Sequence, residues 1–324
     1  MKLLITGATG RLGRILTKTL LKKNHSLRLL VRNTQKAEKL FGKQKKGKLK
    51  YVRADFNNPR VLEKINKACK GVEQVAHLAA LVTVNAKKED LEKTNVEFTK
   101  TLLKAAEKAK VKRFVFCSSV SVYPERSHTQ TYNEEHSYDP SNEYGKSKVD
   151  AEKIVKAGKI PFVILRPSMI YGEGFDTGFG SAIRAIQTKK MFTIGRGKNK
   201  FAMVHGQDVA DAFVKAIERG KQVENKAFII NAEQIEQKTA FELTAKALKV
   251  PAPKIQIPKR ILLLTAIPLE IISKAFGKNP PISSEFIENL AANRLYSNTR
   301  AQKELNWHPK KKFSQEIKKV KTWF

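Results

Sequence analysis

Short apolar runs alternate with charged, helix-spaced stretches through the first half of the chain. Five of these runs have the pattern of strands: KLLIT at 2–6, LRLLVR at 27–32, LKYVRAD at 49–55, VEQVAHLAA at 72–80 and KRFVFCSS at 112–119. The stretches between them have helical spacing and one charged face. Strands separated by helices imply right-handed crossovers, so the sequence predicts an α/β protein with a doubly wound parallel sheet.

The pattern changes after residue 172. Two more strand-like runs follow the first five, IPFVILRPSMIYG at 160–172 and KAFIIN at 226–231. The glycine-rich segment GEGFDTGFG and proline-marked connections around helices lie between or after them. We expect a dinucleotide-binding domain over 1–172, which the chain rejoins at about 203–231. A smaller, mostly helical and discontinuous substrate-binding part is expected within 173–324.

The longest apolar run, ILLLTAIPLEII at 261–272, is too short to cross a bilayer, which takes roughly 20 apolar residues. Pro268 and Glu270 interrupt it further. We expect a helix packed on the core or on a pocket, with docking on a membrane surface as the alternative. Because MKLLITGATG passes directly from a strand into glycines, no signal peptide is recognised, and Met1 is expected to begin the working domain.

Composition adds a strong positive charge. The 63 lysines and arginines exceed the 30 acidic residues, which gives a net charge of +33. Such a field attracts nucleic acids and anionic membranes without specificity. The sequence has no recognisable nucleic-acid-binding motif, and its aromatic residues do not alternate with the basic runs. We therefore predict solvated lysine-rich faces and no specific nucleic-acid partner, and weak association with anionic membranes stays open.

Cysteine and histidine usage excludes two classes of protein. Cys69 and Cys117 stand far apart without a CxxC, and the six histidines are scattered. This pattern favours neither a disulfide framework nor a metal site, and it fits a reducing compartment. The expected location is cytoplasmic, with peripheral attachment to a membrane as the alternative.

A glycine turn follows the first predicted strand. TGATGRLG places Gly7, Gly10 and Gly13 between that strand and a helix. Glycines here permit a tight turn and close approach of a pyrophosphate, which then lies at the positive end of the helix. The spacing is GxxGxxG, one residue longer in its first interval than the usual fingerprint. It predicts a dinucleotide site.

The end of the second strand bears on the choice of cofactor. An acidic side chain there would bind the adenosine ribose, but this chain has Arg32 in VRN. A guanidinium suits a 2′-phosphate through charge-assisted hydrogen bonds, and Arg11 could join it. NADP(H) is therefore favoured, with NAD(H) as the alternative.

YGKSK at 144–148 places Tyr144 and Lys148 on one helical face, since residues four apart are neighbours. The strand FVFCSS ends with Ser118 and Ser119 at the carboxyl edge of the sheet, where ligands bind in folds of this kind. A helix that begins near Asn142 would bring a phenol, a hydroxyl and an ammonium to one substrate oxygen beside a nicotinamide.

These segments resemble the extended short-chain dehydrogenases/reductases, which include nucleotide-sugar epimerases and 3β-hydroxysteroid dehydrogenase-like reductases. The matching segments extend from residue 3 to about 213, and NTRAQKELNWHP resembles the family's C-terminal helix. They are TGATGRLG, ADFNNP, HLAA, TNVEFTKTLLKAA, FVFCSSVSVYP, YGKSK, LRPSMIYGEG and MVHGQDVADAF. The resemblance implies a Rossmann-type fold with a bound nicotinamide cofactor.

The resemblance also implies roles for individual residues. Tyr144 would be the general acid/base, with a pKa lowered from about 10 by Lys148 and the oxidised nicotinamide. Lys148 would also bind the nicotinamide ribose. Ser119, with Ser118 as the alternative, would hold the substrate oxygen. Asn95 would complete a proton-relay group. Lys146 points elsewhere and is expected to be dispensable.

The family pattern further implies a set of cofactor contacts, in which Asp55 approaches the adenine and HLAA lines the cofactor. The implied cofactor-binding residues are Gly7, Thr9, Gly10, Arg11, Leu12, Gly13, Arg32, Asp55, Phe56, Leu78, Ala79, Ala80, Tyr144, Lys148 and Pro167. Members often dimerise through the helices that here hold 95–108 and 144–157. A homodimer is therefore expected, although Val96, Leu103 and Ile154 could instead pack on the sheet.

The substrate half separates the possible reactions. UDP-sugar enzymes of this family typically have an arginine where this chain has Phe201, although Arg196, Lys198, Lys200 or Arg294 could substitute. A pocket for an apolar substrate beside Ser119 is expected from Val82, Met169, Tyr171, Phe201 and Met203, which could equally be core. We expect an NAD(P)-dependent oxidoreductase that interconverts a secondary alcohol and a ketone. The alternatives are a nucleotide-sugar epimerase or dehydratase with tightly bound NAD, and a non-catalytic nucleotide-binding scaffold.

Overall fold

A computed structural model describes residues 1–55, 61–82, 86–125, 129–276 and 284–323. The strands in these ranges are β1 (Lys2–Thr6), β2 (Ser26–Val31), β3 (Leu49–Arg53), β4 (Gln74–His77), β5 (Arg113–Cys117), β6 (Phe162–Pro167), β7 (Met169–Tyr171), β8 (Thr193–Ile194), β9 (Lys200–His205), β10 (Lys226–Ile230), β11 (Glu233–Glu236) and β12 (Gln256–Ile257).

Helices fill most of the segments between the strands. The α-helices are α1 (Arg11–Lys22), α2 (Thr34–Phe41), α3 (Val61–Cys69), α4 (Lys88–Leu91), α5 (Phe98–Lys108), α6 (Glu143–Ala157), α7 (Phe179–Gln187), α8 (Gly206–Glu218), α9 (Gln237–Leu248), α10 (Lys259–Ala275), α11 (Ser284–Ala291), α12 (Thr299–Lys303) and α13 (Phe313–Glu316). Shorter helical turns are the π-helical Glu92–Glu97 and the 3₁₀ segments Val120–Val122, Lys221–Val223 and Ile317–Thr322.

Seven parallel strands form the central sheet in the order β10-β6-β5-β4-β1-β2-β3. Every apolar run predicted as a strand contains one of them, because strands covered by helices on both faces are apolar along their whole length. The order reverses direction on either side of β1, which is the doubly wound arrangement. The predicted α/β fold class is therefore confirmed.

Helices cover both faces of this sheet. Leu16 and Leu20 of α1 and Phe213 of α8 are fully buried in the cluster on one face. On the other face, Ile65 of α3 and Val155 of α6 are buried in a second cluster. The two layers bury the apolar side of each amphipathic helix and leave the carboxyl edge of the sheet to form the site.

A second, smaller unit of structure follows β6. In it, β7 pairs with β9 in parallel and β11 pairs with β9 in antiparallel fashion. A separate cluster of aromatic and aliphatic side chains packs this small sheet against α7, α9 and α13. The chain then returns to the central sheet, where β10 pairs with β6 at the edge.

The apolar run at 261–272 lies within α10. Leu262 and Ala266 are buried in a small cluster with Ile194 of β8 and Ile287 of α11, so one face of this helix packs on the protein, as expected. None of the helices in the described ranges has the length and apolar character needed to cross a membrane.

Candidate cofactor cleft and active site

The glycine turn closes tightly over the end of β4. Gly7 has a φ of +71°, and a Cβ at this position would lie 2.6 Å from the backbone nitrogen of Ala79. A Cβ on Gly13 would overlap the carbonyl oxygen of Gly7. Side chains are therefore excluded at both positions, and the turn presents backbone to the cleft. The segment with Leu78, Ala79 and Ala80 lies directly beside it.

The first helix begins inside this turn. Gly10 is the N-cap of α1, and its amide donates to the Gly7 carbonyl at 2.9 Å. The first turn of α1 carries Arg11, Leu12 and Gly13 and no acidic residue. Its N–H groups and the positive end of the helix dipole therefore face the turn without an opposing charge, which suits a pyrophosphate.

The two arginines predicted to meet at a 2′-phosphate lie in different surroundings. Arg32 follows β2 directly and is exposed, beside Asn33, which caps α2. The guanidinium of Arg11 instead pairs with the carboxylate of Asp176 and donates to the Thr177 hydroxyl at 3.1 Å. The structure therefore assigns Arg11 to the loop after β7, whereas Arg32 stands where the prediction placed it.

Other predicted cofactor contacts lie along the same edge of the sheet. Asp55 is partly buried just after β3, and Pro167 is the buried last residue of β6. Thr9 is partly buried within the glycine turn. Phe56, which the sequence also placed at the cofactor, lies outside the described residues.

Two adjacent serines at the end of β5 point to different partners. Ser118 is buried, and its hydroxyl donates to Oε1 of Glu152 at 2.5 Å. Ser119 Oγ instead accepts the backbone amide of Ser121 at 3.1 Å, which caps the 3₁₀ turn Val120–Val122. Because Ser118 is engaged by a buried carboxylate, this geometry favours Ser119 as the hydroxyl that faces the cleft.

Helix α6 delivers Tyr144 to this position. Asn142 is its N-cap and accepts the Gly145 amide at 2.8 Å, so the helix begins where the sequence predicted. A Cβ on Gly145 would overlap the carbonyl oxygen of Ser121. Gly145 therefore lets the first turn of α6 pack against the turn after β5. Sequence analysis quoted this glycine without giving it a role.

The phenol and the ammonium of YGKSK are both buried. Burial raises the pKa of Tyr144, and a hydrogen bond from Ser119 opposes that rise only in part. The Lys148 ammonium donates to the carbonyl oxygen of Cys117 at 2.9 Å and lies 6.0 Å from the centre of the Tyr144 ring. Burial also lowers the pKa of Lys148.

The direction in the protein alone is opposite to the one expected for Tyr144 when an oxidised nicotinamide is bound beside Lys148, and that expected lowering of the pKa stays a prediction. In the protein alone, desolvation of the buried hydroxyl outweighs its polar contacts, so the pKa is raised. The phenol is therefore neutral at physiological pH and holds a proton.

Asn95 links the segment after β4 to helix α6. It lies in the π-helical turn Glu92–Glu97. Irregular helical turns of this kind are frequent at functional sites. Its amide nitrogen donates to Leu81 O at 3.1 Å and to Ser147 Oγ at 2.9 Å, while its oxygen accepts the Leu81 amide at 2.8 Å. Ser147 in turn donates to the Tyr144 carbonyl at 2.7 Å. Asn95 thus supports the backbone that carries Tyr144.

A hydrogen-bond network is centred on His77, the first residue of HLAA, and the sequence pattern did not predict it. His77 is completely buried, with Nδ1 at 2.6 Å from Thr6 Oγ1 and Nε2 at 2.9 Å from Thr99 Oγ1. Thr99 donates to the Asn95 carbonyl at 2.6 Å, and Thr6 accepts the Ala79 amide at 3.2 Å. These directions require a neutral imidazole protonated on Nε2. Burial lowers the pKa of His77 to about 3, in agreement.

Sequence analysis also missed a buried ion pair behind Ser118. Arg166 donates to both carboxylate oxygens of Glu152, at 2.9 and 2.6 Å, and the two side chains are almost fully buried. Tyr138 adds a hydrogen bond to Oε2 of the same carboxylate at 2.7 Å. Burial opposes ionisation of Glu152, but Arg166 outweighs it and holds the pKa of this carboxyl below its usual value.

Most of the predicted substrate residues lie in a closed cluster. Tyr171, Phe201 and Met203 are buried together in the core of the small sheet, and Met169 packs against that cluster. This favours the core alternative for these side chains. Val82 differs, because it is 57% exposed just after the cofactor-lining segment.

Four basic residues were named above as possible substitutes for the arginine that sugar-nucleotide enzymes have at the position of Phe201. Arg196, Lys198 and Lys200 are exposed around β9, and Arg294 donates to the backbone carbonyl of Glu125 at 3.2 Å.

Comparison with known proteins shows the family of this chain. The model of the NAD dependent epimerase/dehydratase family matches residues 3–231. The chain belongs to this family. The resemblance to extended short-chain dehydrogenases/reductases is therefore confirmed, and the chain is placed among NAD-dependent enzymes of the dehydrogenase, reductase and epimerase type.

Relatives carry out more than one kind of reaction. UDP-glucose 4-epimerase of Vibrio cholerae is 26% identical, over 98% of this chain and 94% of its own length. The 3beta-hydroxysteroid-dehydrogenase/decarboxylase isoform 1 of Arabidopsis thaliana is 27% identical, over 85% of this chain and 66% of its own. An N-acetyl-alpha-D-glucosaminyl-diphospho-ditrans,octacis-undecaprenol 4-epimerase of Escherichia coli O157:H7 is 27% identical, over 64% and 63%. The match thus spans less than two thirds of the Arabidopsis and Escherichia proteins.

A solved structure matches the whole fold. The crystal structure of gox2253 superposes with a TM-score of 0.81 at 26% identity, over 99% of this chain and 97% of its own. The central sheet and the smaller unit are therefore both part of a known architecture.

Proposed function

We propose that the protein is an NAD(P)-dependent oxidoreductase that interconverts a secondary alcohol and a ketone on a fairly apolar substrate. One observation carries the proposal. Buried Tyr144 of α6 contacts Ser119, which lies just after the carboxyl end of β5. The glycine turn closes over the end of the neighbouring strand, β4. A proton donor, a hydroxyl and an ammonium thus meet next to a surface shaped for a dinucleotide.

The chain's residues fit the cofactor that its family requires. The backbone of the glycine turn, which a Cβ at Gly7 or Gly13 would fill, would hold the pyrophosphate at the start of α1. Lys148 would bind the nicotinamide ribose with those of its N–H groups that do not donate to Cys117. When bound, the nicotinamide supplies or accepts the hydride. We favour NADP(H) over NAD(H) because Arg32 occupies the position after β2.

The chemistry of the protein side concerns one proton. In the reducing direction Tyr144 gives its phenolic proton to the substrate oxygen, which Ser119 holds through its hydroxyl. The raised pKa of Tyr144 keeps this proton on the phenol before reaction. Lys148 stabilises the phenolate that remains, since an adjacent cation favours the charged form. Asn95 and Ser147 position the backbone of Tyr144 without touching the substrate.

Phe201 argues against a sugar nucleotide, because it stands where sugar-nucleotide enzymes of this family typically place an arginine, and this leaves a fairly apolar substrate as the favoured class. The Arabidopsis relative, named for a hydroxysteroid activity, supports the same class. A nucleotide-sugar epimerase with tightly bound NAD is the second candidate. The Vibrio epimerase favours it, because the match covers nearly the whole of both chains. Family membership argues against the non-catalytic scaffold.

The experiment begins with a thermal-shift screen of NAD(H), NADP(H), sterols, aromatic ketones and UDP-sugars, because a bound ligand raises the unfolding temperature by mass action. Turnover of reduced cofactor is then measured for wild type and Tyr144→Phe. We expect turnover with a ketone to disappear in this variant while cofactor binding stays. Tyr51→Phe is the matched control, since its buried hydroxyl bonds the Gly42 carbonyl on the far side of the sheet.

Two results would contradict the proposal. Full activity of Tyr144→Phe is incompatible with the assigned proton donor. Purified protein that retains NAD and converts a UDP-sugar without net consumption of reduced cofactor would replace the oxidoreductase with the epimerase.

A homodimer through α5 and α6 stays a prediction. Val96 and Leu103, on which it relied, are buried within the single chain. A dimer would therefore rest on the exposed residues of these helices, such as Lys100 and Lys104. Light scattering at micromolar concentration tests it, and a monomer would refute it.

A further inference from the structure

Helix α10 is apolar on two opposite faces. Its inner face places Leu262 and Ala266 against the protein, where they are 7% and 2% exposed. The inner face alone therefore accounts for the packing of α10 on the protein. A helix that is apolar all round is ordinarily buried on every side, in a core or in lipid. No residue in the described parts of the chain buries the outer face of α10.

The outer face is continuous and strongly exposed. Leu264 is 74% exposed and Ile271 64%, and both lie opposite the buried pair. Each exposed member has another three or four residues away, so they share one side of the helix. They are Ile261, Leu264, Ile267, Pro268, Ile271 and Ile272. Contiguous patches of this kind mark interaction sites in soluble proteins, whereas single exposed apolar residues do not.

The ends of this face have the character of a membrane-surface helix. Phe276, which is 76% exposed, follows the C-terminal end of α10. Arg260 and Lys254 are exposed at the N-terminal end, next to Ile255, which is 65% exposed. Helices that lie in the bilayer interface combine an aliphatic and aromatic face with basic residues at its border.

The charge of the chain decides between two occupants. A second copy docked on this face would bring its own Arg260 and Lys254 and a further net charge of +33, so charge disfavours pairing of two copies through α10. A surface of anionic lipid headgroups attracts the same charge. The outer face also lacks the tyrosine and tryptophan residues that enrich protein interfaces.

We propose that the outer face of α10 inserts into the surface of a bilayer that contains anionic lipid. The lysine-rich chain supplies the attraction, and Ile261, Leu264 and Ile271 supply the apolar contact. The protein is thereby held at the membrane without a spanning segment. This inference is independent of the reaction proposed above.

Co-sedimentation with lipid vesicles tests it directly. Full-length protein is mixed with vesicles of phosphatidylcholine, with and without phosphatidylglycerol. We expect binding only to the anionic vesicles, and a roughly tenfold or greater weakening in the double variant Leu264→Glu/Ile271→Glu, from lost apolar burial. Leu62→Glu is the control for an added acidic charge elsewhere, since Leu62 is 52% exposed on α3. It adds one acidic charge outside the proposed surface and leaves binding within about twofold, as screened surface charges act weakly.

Insertion is measured separately with Leu264→Trp. Trp307 and Trp323 are buried, so their emission does not change when the vesicles are added. We expect the emission of the introduced tryptophan to shift to shorter wavelength on anionic vesicles. Because all substituted side chains are exposed, the thermal unfolding of each variant checks that the fold is intact.

Three outcomes would overturn the proposal. The first is equal vesicle binding by wild type and the double variant. The second is vesicle binding by Leu264→Trp with no shift of its tryptophan emission, which is adsorption by charge alone. The third is a wild-type dimer in sedimentation velocity that the double variant loses, with no vesicle binding, which assigns the face to a second copy.

Discussion

The ammonium of Lys148 donates to the carbonyl oxygen of Cys117 at 2.9 Å. Cys117 is the last residue of β5, so this bond ties α6 to the strand that precedes the two serines. The second lysine of YGKSK behaves differently, because Lys146 is exposed and pairs with Glu143 at 2.5 Å. Two lysines of one turn thus have separate roles, one in the site and one on the surface.

Lys148→Met is expected to lower kcat/KM for the ketone by roughly 10²-fold or more, the usual loss when general acid/base catalysis is disabled. It should also weaken binding of the reduced cofactor, since the ribose loses its partner. Lys146→Met is the matched control and should leave both quantities unchanged. Steady-state kinetics and cofactor titration provide the measurement. Similar losses in the two variants would remove Lys148 from the mechanism.

Arg32→Asp is expected to raise the Kd for NADPH by roughly tenfold to a hundredfold, the range for a lost charge-assisted hydrogen bond. The Kd for NADH should change far less, because NADH lacks the 2′-phosphate. Lys39→Asp makes the same change of charge on the exposed side of α2 and serves as the control. Calorimetric titration measures both dissociation constants for wild type and for each variant. If NADPH affinity is unchanged, Arg32 does not select the cofactor.

Glu152→Gln is expected to lower the free energy of unfolding by about 3–5 kcal/mol, because it leaves the Arg166 guanidinium buried without its countercharge. Glu143→Gln on the same helix breaks an exposed pair and should cost about 1 kcal/mol or less. Urea unfolding at neutral pH gives both values. The double variant Glu152→Leu/Arg166→Met should recover much of the loss; if it is as unstable as the single variant, an unpaired charge is not the cause.

Acid is expected to destabilise the protein through buried histidines. The folded-state pKa of His77 is lowered to about 3 and that of His205 to about 4, both by burial. Their contribution is complete above the ordinary histidine pKa of about 6.5 and is lost as the pH falls towards these values, at up to about 1.4 kcal/mol per pH unit for each histidine. Urea unfolding between neutral and acid pH should show this slope.

The variant His77→Gln isolates one of the two histidines. Below about pH 6.5, the free energy of unfolding of this variant should fall less steeply with pH than that of wild type. Glutamine does not titrate, so only the contribution of His205 remains. His308→Gln, at an exposed position near the C-terminal end, should leave the slope as in wild type. An unchanged slope in His77→Gln would place the acid sensitivity elsewhere.

The central sheet was predictable because each of its strands lies within a mainly apolar run, a signal that depends only on nearby residues. The glycine turn was predictable for the same reason. Gly7 and Gly13 are close in sequence, and the turn that they form is local. The start of α6 at Asn142 follows from its own capping side chain.

The rest depends on partners far apart in the chain. Asp176, which pairs with Arg11, lies 165 residues beyond it, and no local pattern announces that contact. Gly145 matters through its approach to Ser121, and His77 through Thr6 and Thr99. Periodicity also cannot separate a pocket from a core, which is why Phe201 and Met203 were expected at the substrate and lie inside a closed cluster.

The edge strand β10 has a consequence for how the protein is made. It pairs with β6, although its residues are synthesised about sixty positions later, after the whole of β7, β8 and β9. Until the ribosome has released that segment, the outer backbone groups of β6 have no partner, and exposed edges of this kind promote aggregation. The segment 168–225 must therefore be translated before the central sheet is complete, so a chain truncated before β10 has an unpaired edge at β6.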